Sequence, residues 1–133
     1  MLSNRKWDKA SPANETAIDM LKTISPNQLP SSYIKLLSYS NGGEGPLPVD
    51  PLYFILDSAE NCIRIYKDKT FEEYFEGLFV IGGNGGGDAI AIDMRKPAPF
   101  PVVSFDMTNI DLDESVWLVA NSFSEFFDYI GIE

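Results

Sequence analysis

The chain has no histidine among its 133 residues. Histidine is the usual general base, the commonest metal ligand and the side chain that changes charge near neutral pH. Zinc sites and Ser-His or Cys-His nucleophile systems are therefore excluded.

Cysteine and long apolar runs are also scarce. The lone Cys62 excludes an internal disulfide framework and fits a reducing compartment. No apolar run approaches the roughly 18 to 20 residues that a membrane span needs. The N-terminus, from Met1 to Asp8, has no hydrophobic segment of the signal-peptide type. These features predict a cytoplasmic protein.

Basic side chains are missing from the end of the chain. Residues 1–69 hold eight acids and eight bases, whereas residues 70–133 hold twelve acids and only Arg95 and Lys96, which gives 2 − 12 = −10. Such a surface repels nucleic acid and anionic lipid, and it attracts a basic partner. The alternative is that the acidic side chains only aid solubility.

The length predicts one domain over residues 1–133, with residues 1–12 as a candidate loose N-terminal arm. Gly42–Pro51 is rich in Gly and Pro but too short to separate two domains. Trp117 lies in an apolar run and is predicted to be in the core, whereas Trp7 lies among charged residues and is expected at the surface or against the first helix.

Apolar periodicity and capping residues predict four helices. The first runs from about Asn14 to Ile24, and the second follows Leu29-Pro30-Ser31-Ser32 and stops at Asn41-Gly42-Gly43. The third follows Ser58, and the last begins at Ser122, where Glu125 completes a capping-box pattern.

Four strand-like runs lie between these helices: Leu52–Leu56, Leu78–Ile81, Ala89–Asp93 and Val102–Asp106. Short connections between consecutive strands favour antiparallel pairing. The predicted fold is α+β, with an antiparallel sheet of about four to six strands and helices packed on one face and at the ends.

The stretch from Gly82 to Gly87 resembles a phosphate-binding loop at first sight. A dinucleotide loop must run from a strand into a helix, whereas this stretch runs into the strand-like Asp88-Ala89-Ile90. Neither Lys-Ser nor Lys-Thr follows it, and Asp88 would repel phosphate. We interpret it as a hairpin turn that needs positive φ angles.

No residue stands out as catalytic or as part of a metal site. Asp106 to Glu114 lacks the Gly and Glu positions of an EF-hand loop and is interpreted as a solvated acidic loop. Cys62 lies on the apolar stripe of the third helix, which favours a core role over a nucleophile. We therefore predict no enzyme activity, no metal and no cofactor.

Several segments in order resemble the SUKH superfamily, which includes the yeast cell-wall-assembly regulators of the Smi/Knr type. They cover about residues 11–131 and are Leu29–Leu37, Asn41-Gly42-Gly43, Ile81–Asp88, Ile92-Asp93, Pro101–Asp106 and Ala120–Phe127. The resemblance implies an α+β domain that acts as an immunity protein against a toxin, often a nuclease, or as a signalling or cell-wall scaffold. It brings no catalytic motif. Its shared residues look structural: Asn41, Gly42, Gly43, Gly82, Gly83, Asn84, Gly85 and Asp88.

Three functions remain open. An immunity protein would bind a basic toxin domain, with the partner-binding residues predicted as Asp106, Asp111, Asp113 and Glu114. A regulatory or scaffold module would need an exposed apolar patch, near Trp7 or in the Gly42–Tyr53 loop. A hydrolase or small-molecule-binding protein would need a pocket with convergent polar groups and a carboxylate of strongly shifted pKa. The first is our main hypothesis, and neither nucleic acid nor a membrane is an expected partner.

Overall fold

Capping side chains set the starts of three helices in the computed structural model, which describes residues 2–68, 77–108 and 115–133. Helix α1 (Glu15–Ile24) begins where Asn14 Oδ1 accepts from the Ala17 amide at 2.8 Å. Ser58 caps α3 (Ala59–Lys67) and Ser122 caps α4 (Phe123–Tyr129) in the same way, each at 3.1 Å. Helix α2 (Ser31–Tyr39) begins at Pro30 without a side-chain cap. The four helix predictions are confirmed.

Seven described strands form one antiparallel sheet in which each strand pairs with the next along the chain. They are β1 (Asp8–Lys9), β2 (Gly43–Pro46), β3 (Tyr53–Leu56), β4 (Leu78–Gly83), β5 (Asp88–Asp93), β6 (Val102–Asp106) and β7 (Val116–Ala120). The α+β prediction is confirmed, but the expected four to six strands were too few.

Three observed strands, β1, β2 and β7, were not among the four predicted runs. Strand β7 is apolar, whereas β1 and β2 carry no apolar alternation. Strand β1 has two residues, and β2 reads Gly-Glu-Gly-Pro. Pairing with neighbours, rather than the residues' own preference, makes these segments extended. A Cβ on Gly45 would overlap the Lys6 carbonyl oxygen, so the glycine allows this close approach.

Both faces of the central sheet are buried. The described helices cover one face, where the main core contains Phe54, Ile81, Ile90 and Ile92. On the other face a smaller buried cluster contains Leu78, Val80, Ala89, Ala91, Val103 and Phe105. Trp117 is half-buried rather than fully in the core, and among the described residues its buried indole Nε1 has no hydrogen-bond partner.

The N-terminal residues lie against the C-terminal helix. Leu2 is buried, and the Lys6 amide donates to the Gly131 carbonyl at 3.0 Å. Arg5 Nη1 donates to the Phe127 and Ile130 carbonyls at 2.6 and 3.2 Å, and its guanidinium lies over the Phe127 ring. We call this contact the terminal clasp. It joins the two ends of the described chain.

The order of the strands decides which connections lie together. Because neighbouring strands are antiparallel, the β2–β3, β4–β5 and β6–β7 connections lie at one end of the sheet, which we call the tip end. The β5–β6 connection, with Arg95 and Lys96, lies at the opposite end. The two basic residues of the acidic half of the chain are thus kept away from the tip end.

Candidate functional site

Asp106 ends β6 at the tip end. Its Oδ1 accepts hydrogen bonds from the Thr108 amide at 2.9 Å and from the Thr108 hydroxyl at 2.7 Å. These bonds lower the pKa of Asp106 and keep the carboxylate charged. The other three predicted partner-binding residues, Asp111, Asp113 and Glu114, lie outside the described residues but belong by sequence to the β6–β7 connection.

Asp88 lies directly opposite Asp106 in the β5–β6 register. Its Oδ2 accepts from Asn84 Nδ2 at 3.2 Å, and the Met107 amide donates to the Gly87 carbonyl at 3.1 Å. The end of β6 and the glycine-rich turn therefore form one surface. Like charges directly opposite each other are unfavourable, so this pair gains when a cation or a basic side chain approaches.

The glycine-rich turn satisfies its own hydrogen bonds. Asn84 Oδ1 accepts from the amides of Gly86 at 2.8 Å and Asp88 at 3.1 Å. Gly85 and Gly87 have positive φ angles, and a Cβ on Gly82 would overlap the Ile55 carbonyl oxygen. The turn joins two strands rather than a strand and a helix, so its geometry is that of a hairpin and not of a phosphate loop.

Asn41 connects the end of α2 to the start of α3. Its Oδ1 accepts from the Ala59 amide at 2.7 Å, and its Nδ2 donates to Glu60 Oε1 at 2.8 Å. Gly42 and Gly43 follow with φ angles of 115° and 105°. A Cβ on Gly43 would lie 2.6 Å from the Asp8 carbonyl oxygen. The Asn41 side chain thus bonds within the domain, and the two glycines have no side chain, so this motif has a structural role.

An exposed apolar tip ends the β2–β3 hairpin. Leu52 is 59% exposed and Tyr53 37% exposed. Leu52 has a φ of 72°, a conformation that costs a leucine about 1–2 kcal/mol. Trp7, the other proposed apolar patch, instead packs on Phe54 and donates its indole N–H to Ser40 Oγ at 3.2 Å.

Sequence reasoning missed an acidic patch beside this tip. Asp8 pairs with Glu44 across β1 and β2, and both lie near the Tyr53 hydroxyl. Partial burial and the nearby Glu44 and Asp8 carboxylates raise the pKa of Tyr53. The strand β2 that brings these residues together has no sequence signal, so only the observed register shows the patch.

An open groove lies on the helical side of the domain. Its volume is about 640 Å³, and its lining residues are all uncharged: Asn27, Gln28, Leu29, Pro30, Ser31, Ser32, Ala98, Pro99, Phe100, Ser122, Phe123 and Ser124. Without a carboxylate or another titratable side chain, the groove offers no general acid or base.

Burial raises the pKa of two further side chains in the described part of the chain, Cys62 and Asp57. Cys62 is buried, its Sγ lies 3.5 Å from the Tyr33 hydroxyl, and burial raises its pKa to about 12. Burial also raises the pKa of Asp57, which accepts a hydrogen bond from Asn61 in the first turn of α3. No group of three or more metal-ligating side chains occurs among the described residues, and none of their helices is long and apolar enough to cross a membrane.

Comparison with known protein families identifies the chain's family. A family model described as SMI1 / KNR4 family (SUKH-1) matches residues 12–129, which is most of the chain. No curated protein matches the sequence significantly.

Proposed function

Because the chain belongs to the SMI1/KNR4 family (SUKH-1), whose members have immunity or regulatory roles as protein-interaction domains, we propose that it binds and neutralises a basic toxin. The domain acts without catalysis, as a protein inhibitor that covers the toxin's substrate cleft. A nuclease toxin fits best, since its cleft must be positively charged to bind nucleic acid.

The observation that carries this proposal is the segregation of charge. Residues 70–133 hold a net charge of −10, and Asp88 and Asp106 lie side by side at the tip end. Their two bases, Arg95 and Lys96, follow β5 at the opposite end. The negative half of the chain therefore attracts a basic cleft from a distance, and at the tip end the cleft would meet the Asp88–Asp106 pair.

The proposal places the domain in the cytoplasm. The free Cys62 fits a reducing compartment, where a bacterial toxin would act on its own producer or on a neighbour. In that compartment the domain would be folded, and its acidic surface would be accessible to the toxin.

Charge reversal at the predicted site tests the proposal. The variant carries Asp106→Lys, Asp111→Lys, Asp113→Lys and Glu114→Lys, and it is compared with wild type by surface plasmon resonance. The binding partners are a panel of inactivated nuclease-toxin domains with isoelectric points above about 9. For any member that binds wild type, we expect the association rate to fall about 10- to 100-fold, with a weaker salt dependence.

The matched control reverses four acids elsewhere on the surface: Glu15, Asp19, Asp68 and Asp128. We expect it to lower the association rate far less, although its net charge is the same. Equal rates for wild type and the tip-end variant would show that the site assignment is wrong. Failure of every panel member to bind wild type would contradict the nuclease-toxin proposal.

A regulatory or scaffold module is the second candidate. The exposed Leu52 and Tyr53 supply the apolar surface that such a module needs, although a toxin could bind the same surface. The charge of the natural partner distinguishes the two candidates. An acidic or neutral partner whose binding does not change with salt would favour the regulatory module.

A further inference from the structure

Leu52 is an exception in the backbone of the described chain. Six glycines have positive φ angles, and Leu52 is the one residue with a side chain that shares this conformation. Glycine adopts it without strain and asparagine with little, whereas leucine does not. Backbone preference therefore does not explain why this position has a leucine.

The fold needs the backbone conformation of Leu52 but not its side chain. The Leu52 amide donates to the Val49 carbonyl at 2.8 Å, and the Leu52 carbonyl accepts from the Leu47 amide at 3.0 Å. Both bonds would survive in a glycine or asparagine variant. The side chain itself is 59% exposed and lies outside both apolar clusters. Strained residues of this kind concentrate where a protein makes functional contacts.

Acidic side chains lie near this apolar tip, and the nearby Lys6 is paired with Glu133. Asp50 is exposed two residues before Leu52. Tyr53 lies beside Glu44 and Asp8. A partner surface that complements the tip has an apolar pocket with basic side chains at its rim, which is the charge expected of the proposed toxin.

Leu52 and Tyr53 lie at the same end of the sheet as the acidic pair Asp88 and Asp106. Strands β3 and β6 are three positions apart in the sheet, which corresponds to about 14 Å. Among the described residues, the exposed glycines 85–87 lie between them. One protein partner of ordinary size covers both, since each side of a typical interface is about 800 Å².

We propose that Leu52 and Tyr53 form the apolar anchor with which this domain holds its basic protein partner. The inference rests on the proposed function and assigns separate roles to the acidic and the apolar side chains. Acids at the tip end set the association rate, whereas burial of Leu52 and Tyr53 in a pocket of the partner sets the dissociation rate.

The test compares Leu52→Asn and Leu52→Gly with wild type, using a panel member that binds wild type. We expect the dissociation rate to rise about 10- to 30-fold and the association rate to change less than about twofold. Both variants relieve backbone strain, so we expect the melting temperature to rise by about 2–5 °C. The matched control is Met20→Gln, which removes an exposed apolar side chain from α1 and should leave both rates unchanged.

The outcomes separate this inference from the proposed function. Unchanged dissociation from a toxin that binds wild type overturns the anchor and leaves the proposed function standing. A melting temperature that does not rise overturns the claim that leucine strains the fold here, and with it the reason for the anchor.

If no panel member binds wild type, photo-cross-linking in the native cells replaces the panel. Tyr53→p-benzoylphenylalanine and Met20→p-benzoylphenylalanine are compared, and a product from position 53 is identified and purified. A basic protein that then shows the expected loss with Leu52→Asn supports the anchor. The absence of any product specific to position 53, or a product that binds Leu52→Asn and wild type equally, overturns it.

Discussion

Cys62 and Tyr33 form a buried polar contact between α3 and α2. Burial, more than any neighbour, raises the pKa of both side chains, and that of the thiol reaches about 12. Because the thiolate is the reactive form, a thiol in this setting is a core residue rather than a nucleophile.

Thiol labelling tests this view of Cys62. At pH 8 a thiol of pKa about 12 is ionised to about one part in 10⁴, so we expect a chromogenic disulfide reagent to react about a thousandfold more slowly with the folded protein than with the urea-unfolded chain. Cys62→Ala combined with Ser38→Cys provides an exposed reference thiol on α2. Equal reactivity of Cys62 and the reference in the folded state would contradict a buried, protonated thiol.

At the scale of elements, Asn41 connects two helices that are separate in sequence. Asn41→Ala removes the cap on the Ala59 amide and the contact with Glu60. We expect the free energy of unfolding to fall by about 1–2 kcal/mol, as for other lost helix caps. Urea unfolding followed by circular dichroism measures it. The exposed Asn4→Ala serves as control and should change stability by less than about 0.5 kcal/mol.

The turn after β5 contains a buried ion pair. Arg95 Nε and Nη2 each donate to the Asp93 carboxylate at 2.9 Å, and the Arg95 amide donates to it at 3.0 Å. Burial alone would raise the pKa of Asp93, but Arg95, with a smaller contribution from Lys96, holds it below its usual value. Asp93 thus contributes stability that is present above its unfolded pKa of about 4 and is lost as the pH falls through the lower folded value.

Arg95→Gln tests this pair. It leaves a carboxylate buried with a weaker partner, and the Arg95 side chain is one-third exposed, so we expect a loss of about 2–3 kcal/mol at pH 7. The difference from wild type should shrink below about pH 4, where Asp93 takes up a proton in the variant. Urea titrations at pH 7 and pH 3.5 measure both values, with the exposed Lys35→Gln as control. A difference that does not change with pH would argue against a charged Asp93.

Helices were predictable from sequence because their signals are local. Asn14, Ser58 and Ser122 each cap the helix that follows within three residues. Strands β1 and β2 were not, because their extended form depends on pairing with distant residues. Only the register brings Asp8 to Glu44, which lies 36 positions later in the chain.

Part of the candidate site was also predictable from the sequence. The excess of acids after residue 70 pointed to Asp106, and the structure adds that Asp88 faces it. The positive φ of Leu52 could not be foreseen, since no glycine or asparagine marks that position in Asp50-Pro51-Leu52-Tyr53. The sequence does not distinguish a strained leucine from an unstrained one, and only the backbone φ angle shows the strain.

At the scale of the whole molecule, a net charge of −10 acts against the folded state through mutual repulsion. Added salt screens this repulsion, because the Debye length falls from about 30 Å at 0.01 M to about 8 Å at 0.15 M. We therefore expect the melting temperature to rise by a few degrees, roughly 2–5 °C, between 10 and 300 mM NaCl at pH 7.5.

Screening of ion pairs would act in the opposite direction, but Lys6–Glu133 and Arg64–Asp68 are exposed and contribute little, and the buried Asp93–Arg95 pair is screened much less. Calorimetry at several salt concentrations measures the balance. The tip-end charge-reversal variant, which has a smaller net charge, should gain less from salt than wild type. A melting temperature that falls with salt would mean that attraction, not repulsion, dominates the surface.

The sequential order of the strands also has a kinetic consequence. The pairings of β4, β5 and β6 close short loops, whereas the terminal clasp joins Arg5 to residues 122 and 125 positions away. Contacts that close the longest loops tend to form late, so the clasp should be absent from the folding transition state. In stopped-flow experiments we expect Arg5→Gln to accelerate unfolding with little effect on refolding, and Val80→Ala in β4 to slow refolding. Opening at the chain ends would then be the first step by which this domain comes apart.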